Sequence, residues 1–447
     1  MAKRAGFATR IGAIAASVGS AVGLGNIWRF PYEAGENGGG AFILVYVLFV
    51  LVLGIPVMLS EFIIGRSTHK SMMGALRELM PGSRVHWFTL VCIAGSVITL
   101  SFYSVVCGWV CEYLYLSLTG QLTGHSVQEY GGIFSTFVAS PWRCLGWTWL
   151  FLAVNFVVML GGVQRGIERM SRVLMPLLFL LLIVFMVNSL TMPGSAQGLK
   201  FIFTPDFGKL TFEGVLDALG QAFMSLSLGV ACMVTYASYF QDNSSLIKDA
   251  GVVAMLDTLV AIMAGIVIFP AVFSFGLAPE AGPKLVFEVL PSIFQQMSGG
   301  AVWCVLFFLL LLFASLTSTI SLSEISIAFA IEERGASRNR ATLWCAVVVV
   351  AIATLCALSF NVLDQVKILG RDIFTLLNDA SANVFMPLGG LFTATLVGWF
   401  LDRRVVRGQL EQGDTLSRRL SPCVVWCLRY VAPAAIVLIF LHYTGVL

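Results

Sequence analysis

The sequence predicts an all-α polytopic membrane protein, with eleven transmembrane helices in one domain covering 1–447. Three observations carry that prediction. Of 447 residues, 58% are hydrophobic and 11% charged, whereas a soluble chain carries about 25% charged residues. The apolar residues are gathered into long runs, and two of those runs are broken by glycine and serine at matching places. A soluble enzyme, a disordered chain and a nucleic-acid binder are excluded by this composition.

A membrane helix needs about 20 mainly apolar residues. Eleven runs qualify: 11–32, 41–64, 87–117, 145–161, 170–190, 216–240, 250–277, 301–331, 341–360, 376–400 and 423–443. They are too long and too continuously apolar for the alternation of barrel strands. With the N-terminus inside, the inner connections hold nineteen Lys and Arg and the outer ones six. Basic loops stay inside, so the N-terminus is expected in the cytoplasm and the C-terminus outside, in a plasma membrane (the inner one in a bacterium). The longest polar connections, near 189–215, 278–300 and 402–420, are expected to hold short surface helices or gating loops. The cysteines, among them Cys92, Cys107, Cys232, Cys304 and Cys356, lie mostly inside apolar runs without zinc or disulfide-framework spacing and read as packing residues. No cleavable signal peptide is expected, because the first apolar stretch is interrupted by glycines and runs into Arg29.

Span 1 contains Val18-Gly19-Ser20-Ala21-Val22-Gly23-Leu24-Gly25-Asn26. Each glycine costs about 1 kcal/mol relative to alanine in a helix interior, so the helix is weakened at mid-membrane depth. Span 6 repeats the feature with Ser225-Leu226-Ser227-Leu228-Gly229, flanked by Gln221 and Thr235. A glycine packing face of the small-xxx-small kind explains one such break, but not a pair. Spans 1 and 6 open two five-helix halves, 11–190 and 216–400, with 423–443 as an extra helix. Paired interruptions in two halves indicate an inverted-repeat secondary transporter with its site at the midplane. There, unwound carbonyls hold cations and half-helix N-termini face an anionic group.

Several motifs resemble the neurotransmitter:sodium symporter family. They are Ala8-Thr9-Arg10, Ala21-Val22-Gly23-Leu24-Gly25-Asn26-Ile27-Trp28-Arg29-Phe30-Pro31 and Glu36-Asn37-Gly38-Gly39-Gly40-Ala41-Phe42. Gly54-Ile55-Pro56 with Glu61, Gly166-Ile167-Glu168-Arg169, the run from Gln221 to Tyr239, and Leu316-Thr317-Ser318 continue the match into span 10. The resemblance implies the LeuT fold, with five-plus-five inverted repeats, of the shorter eleven-span bacterial type. It also implies sodium-coupled amino-acid transport.

Two sodium sites follow by resemblance. The second uses the carbonyls of Gly19, Val22 and Ala314 with the hydroxyls of Thr317 and Ser318. Read from the residues alone, such adjacent hydroxyls in an apolar helix often bond back to their own helix. The first site takes the Ala21 carbonyl, the Asn26 side chain, Ser225, the substrate carboxylate and a span 7 residue. Here that residue is Asp257, where many members have asparagine. Ala261, one turn on, takes the place associated with chloride in animal relatives. A carboxylate at this depth is expensive and marks function by default. An ionised Asp257 that contacts sodium supplies the fixed negative charge that chloride supplies elsewhere, so no chloride is expected. Emptying the site favours its protonated form, which then carries a proton back.

For the substrate, the resemblance implies that span 1 offers backbone amides to a carboxylate from Ser20, Ala21, Leu24 and Gly25, beside the Tyr103 hydroxyl. Ser225, Ser227 and span 1 carbonyls would take an amine. The side-chain cavity would be lined by Thr99, Met224, Val230, Ser318 and Leu322. Met224 stands where relatives often carry a phenylalanine lid. No charged residue is on this wall, so the expected substrate is a neutral, large apolar L-amino acid, leucine-like to tryptophan-like.

Arg29 with Asp379 would form the outer gate, and Arg4 with Glu332 the inner one, above Phe7. Glu61 would support the unwound backbone, and Gly166 with Pro176 would let the inner half of span 5 unwind. The other expected partners are sodium ions and the lipid bilayer, with no nucleic acid; the chain is expected as a monomer or weak dimer. An intramembrane enzyme is disfavoured: His69, His86, His125 and His442 lie in loops or near span ends, and no Rossmann context surrounds Gly23-Leu24-Gly25. An amino-acid sensor on the same fold and a proton-coupled carrier are the remaining rivals.

Overall fold

The computed structural model describes residues 6–125, 127–242, 244–276, 285–413 and 415–443. Among them nine helices are long and apolar enough to cross a membrane, and Arg10–Ala21 with Gly25–Glu36, bent by 50°, make a tenth span. Span 6 supplies the eleventh in two pieces, Phe212–Ser225 and Cys232–Ala237. The uninterrupted spans follow in order: span 2 Gly40–Thr68, span 3 Arg84–Leu118, span 4 Pro141–Leu160, span 5 Val163–Leu190, span 7 Leu246–Ser274 and span 8 Gly300–Arg334. Span 9 is Arg338–Leu358, span 10 Ile373–Phe400 and span 11 Thr415–Leu441. The expected runs are all present; the largest difference in bounds is the start of span 11, eight residues earlier than its apolar stretch, because Thr415 to Pro422 continue the helix out of the apolar layer.

Local chemistry sets these ends. Thr9 caps span 1 by accepting from the Gly12 amide at 3.0 Å, and Asp372 caps span 10 through the Thr375 amide at 2.8 Å. Span 8 stops at Gly335, whose φ of 61° suits the left-handed residue that ends a helix. The long connections hold the expected short helices, Ser195–Phe203, Leu290–Gln295 and Arg403–Leu410. A further helix, Val127–Ala139, lies between spans 3 and 4.

Spans 3 and 8 pack along each other, span 7 packs on span 5, and the second piece of span 6 packs on span 2. Spans 1, 3, 6 and 8 thus meet at the centre. The cysteines are mainly buried and none is bonded to another. Val157, Leu180, Val187, Val347 and Leu438 are exposed on the outer faces, as lipid-facing residues must be.

Candidate functional site

In span 1 the helix stops at Ala21 and resumes as a π turn over Gly25–Arg29. The amides that would have bonded back to Gly19 and Ser20 go elsewhere: Gly23 N donates to Asn26 Oδ1 at 3.0 Å and Leu24 N to the Tyr103 hydroxyl at 2.8 Å. Carbonyls at the end of the first half are thereby released. The Ser20 carbonyl accepts from Ser227 Oγ at 2.8 Å, and that of Val22 from Ser318 Oγ at 3.2 Å.

Span 6 breaks at the same depth. Ser227, Gly229 and Ala231 have φ of 52°, 84° and 62°, so alternate residues from Ser227 to Ala231 lie in the left-handed region and no helix can run through them. Glu61, fully buried in span 2, accepts from Gly229 N at 2.7 Å. Gln221 Nε2 donates to the Gly25 carbonyl at 3.1 Å and ties one broken span to the other. Glu61 and Gln221, both of which the sequence reading placed in a supporting role, thus bond the backbone of the two breaks.

Four side chains converge beside the break. Ser225 Oγ donates to Asp257 Oδ2 at 2.6 Å, and Asn26 Nδ2 lies 2.8 Å from Asp257 Oδ1 and 2.9 Å from Ser225 Oγ. The Tyr46 hydroxyl stands 3.2 Å from both Asp257 Oδ2 and Ser225 Oγ. All four are fully buried. The fold therefore gathers Asn26, Ser225 and Asp257 around the end of the first half of span 1, where Ala21 is the last helical residue. Sequence reasoning missed Tyr46. Its only signal is that a tyrosine inside an apolar helix must find a partner for its hydroxyl. Tyr46→Phe is expected to weaken apparent sodium affinity about threefold to tenfold, since one hydrogen bond nets about 0.5–1.5 kcal/mol; a sodium titration of substrate binding reads this out.

A second cluster joins spans 1 and 8. Gly19 presses on Thr317, a methyl built on it falling 3.3 Å from Thr317 Cβ. Ser318 Oγ lies 3.2 Å from the Val22 carbonyl and 3.3 Å from that of Ala314. Thr317 Oγ1 lies 3.0 Å from the Ala314 carbonyl and 3.2 Å from that of Phe313, the back-bonding open to any such hydroxyl. Gly19, Val22, Ala314, Thr317 and Ser318 are thus assembled at one place.

A cavity of about 820 Å³ opens from the broken segment toward the end carrying Asp379. Leu24, Gly25, Tyr103 and Met224 lie on its floor, and Phe102, Trp109, Phe134, Phe287 and Phe374 form an aromatic wall. Three corrections follow. Ser20 and Ala21 belong to the first helical half of span 1, so their amides are turned into the helix and only Leu24 and Gly25 reach the cavity. Thr99, Val230, Ser318 and Leu322 do not line it: Thr99 Oγ1 is held 2.5 Å from Ser381 Oγ and 2.7 Å from the Gly95 carbonyl, and Val230 is fully buried. The Arg29–Asp379 pair is not formed either. Arg29 Nε lies 3.2 Å from Glu33 Oε1 and its Nη1 3.1 Å from Met224 Sδ, while Asp379 is paired with Arg371. Arg29 and Asp379 instead both line the cavity without touching each other.

The other end is closed. Phe7 packs edge-on against Tyr236 and Tyr239, with ring centroids 5.9 and 5.6 Å apart. Glu324, fully buried in span 8, accepts from Tyr239 at 2.6 Å and from Arg338 at 2.7 Å. Arg4 lies outside the described residues. Glu332 accepts from the Ser71 amide at 2.6 Å. Glu168 anchors the N-terminal segment through Ala8 N at 2.8 Å and Thr9 Oγ1 at 3.1 Å. It sits at the end of a π turn over Val163–Glu168, in the Gly166–Pro176 stretch. The Glu324–Arg338 closure was missed, although a carboxylate inside an apolar span signals it.

Two broken helices whose breaks bond each other, with oxygens gathered beside them and a cavity open at one end, define a secondary transporter of the LeuT fold. The family model described as "Sodium:neurotransmitter symporter family" matches residues 4–131 and 144–445. The chain belongs to that family and is a sodium-dependent symporter, not an enzyme. It is 38% identical over 443 residues to YhdH, a sodium-dependent transporter of Bacillus subtilis, covering 99% of this chain and 98% of that protein. A sodium-dependent transporter of Haemophilus influenzae is 32% identical, with 98% of each chain covered. The Drosophila melanogaster sodium-dependent serotonin transporter is 26% identical over 95% of this chain and 74% of its own. Among solved structures, MhsT in complex with L-phenylalanine superposes with a TM-score of 0.91 at 41% identity, covering 98% of this chain and 99% of that one.

Proposed function

We propose that this symporter imports neutral, large hydrophobic or aromatic L-amino acids together with sodium bound at two sites, and without chloride. The single observation that carries the reading is the Asp257 cluster. Ser225, Asn26 and Tyr46 all aim donors at one buried carboxylate, a set that suits an anion. A fixed anion there balances a sodium ion without a mobile one. The Ala21 carbonyl, Asn26, Ser225 and Asp257 would hold the first sodium, and Gly19, Val22, Ala314, Thr317 and Ser318 the second. A substrate carboxylate would join the first ion and meet the Leu24 and Gly25 amides and the Tyr103 hydroxyl, while Ser225, Ser227 and freed carbonyls take the amine.

The aromatic wall supports an apolar side chain, as does the likeness to a transporter solved with L-phenylalanine. Residues 11–190 and 216–400 would form the two inverted repeats. The cavity mouth would face outside, with the N-terminus in the cytoplasm, as the basic connections require. Movement to an inward-open state would part Glu324 from Arg338 and Tyr239, and bring Arg29 and Asp379 together above the substrate.

Binding of labelled L-phenylalanine to the purified protein tests substrate class and ion need together. Saturable binding in sodium but not potassium is expected, unchanged in gluconate, displaced by leucine and tryptophan and not by lysine or glutamate. Displacement by charged amino acids, or a chloride requirement, contradicts the proposal.

A further inference from the structure

We propose that Arg403, Arg407 and Arg429 form a binding site for the phosphodiester headgroup of an anionic phospholipid. They line a cavity of about 260 Å³ between the end of span 10, the helix Arg403–Leu410 and the first half of span 11. Glu411 lines it too, so the wall carries three positive groups against one negative.

Arg429 is the informative residue. Of the 27 lysines and arginines, only Arg29, Arg172 and Arg429 fall inside the apolar runs, and Arg172 stands at the very start of its run, where Glu168 pairs with it. Arg429 lies six residues past Cys423, about 9 Å along the helix axis. An arginine at such depth is costly unless something compensates it. Its Nε donates to the Gly398 carbonyl at 2.5 Å, its guanidinium lies 5.4 Å over the Trp399 ring, and Trp399 Nε1 returns a bond to the Arg429 carbonyl at 3.0 Å. Those contacts fix the side chain but leave its charge without a carboxylate partner among the described residues. Neither Arg403 nor Arg407 pairs with an acid among the described residues. Basic residues of the connection are accounted for by topology alone; one inside the span is not.

The surroundings match the headgroup layer. Trp399, Phe400, Trp426 and Tyr430 are exposed around the cavity, the aromatic belt found at a membrane interface. Basic pockets between membrane helices at the arginine-rich side receive anionic headgroups, and the guanidinium fork matches phosphate oxygens. The helix Arg403–Leu410 is held rigidly, because the Arg66 side chain bonds Gln409 Oε1 at 2.6 Å, the Gln409 carbonyl at 2.9 Å and the Ser244 carbonyl at 2.5 Å.

The test counts lipids retained by the full-length protein in native mass spectrometry after equilibration with mixed phosphatidylglycerol and phosphatidylcholine. The variants are the double substitution Arg403→Gln/Arg407→Gln, Arg429→Gln, and Arg84→Gln as an exposed basic residue at the same end but outside the cavity. Sodium-dependent substrate binding confirms that each is folded. Preferential retention of phosphatidylglycerol is expected, falling about tenfold or more in the double variant and unchanged in Arg84→Gln. Arg429→Gln is expected to lower retention as well. Equal retention by wild type and double variant, an equal loss in Arg84→Gln, or displacement of the lipid by excess inorganic phosphate would each overturn the proposal.

Discussion

Asp257→Ala is expected to lower the apparent sodium affinity of substrate binding by about 10- to 100-fold. The carboxylate takes donors from Ser225 at 2.6 Å, Asn26 at 2.8 Å and Tyr46 at 3.2 Å, all buried. A hydrogen bond to a charged group contributes about 1.5–3 kcal/mol, and about 1.4 kcal/mol is a factor of ten. Alanine strands three buried donors and removes the local negative charge together. Asp257→Asn keeps the shape and removes only the charge. If Asp257 replaces a mobile anion, the asparagine variant should become stimulated by chloride while the wild type stays indifferent. Sodium titrations of both variants in chloride and in gluconate separate the two effects. Unchanged sodium dependence in Asp257→Ala would remove Asp257 from the ion site.

Gly229→Ala is expected to abolish binding and to cost the protein several kcal/mol of stability. Gly229 has a φ of 84°, which costs a residue with a Cβ roughly 1–2 kcal/mol. A methyl placed there would also overlap the Met386 carbonyl of span 10, and backbone yields far less readily than a side chain. The amide of Gly229 is also the group that Glu61 holds at 2.7 Å, so a shift of this residue would release a buried carboxylate. Thermal unfolding in detergent should show a fall in midpoint, with sodium no longer raising it. A variant that unfolds like the wild type and still binds substrate would contradict the backbone account of span 6.

The breaks were legible in the sequence because glycine and serine inside an apolar run have few other reasons to be there. Asp257 and Glu61 were legible for a related reason, since a carboxylate at that depth must be held by something. Tyr46 was not, because an aromatic ring belongs in an apolar helix whether or not its hydroxyl has a task. The aromatic wall also escaped notice: Phe134 and Phe287 come from connections, and only folding brings them beside Trp109 and Phe374. The partners of Arg29 and Asp379 in this geometry were not legible for a different cause. Arg29 and Asp379 line one cavity, and here Glu33 and Arg371 are their partners. Local composition predicts where a helix must fail, while pairing between distant charges depends on which state the molecule occupies.

The most direct measurement of the central claim is uptake of labelled L-phenylalanine into proteoliposomes under an inward sodium gradient, compared with equal potassium, and with chloride replaced by gluconate on both sides. The account predicts accumulation above equilibrium that needs sodium, collapses with the gradient and ignores chloride. Sodium-dependent binding without accumulation, or uptake driven equally well by potassium, would contradict it.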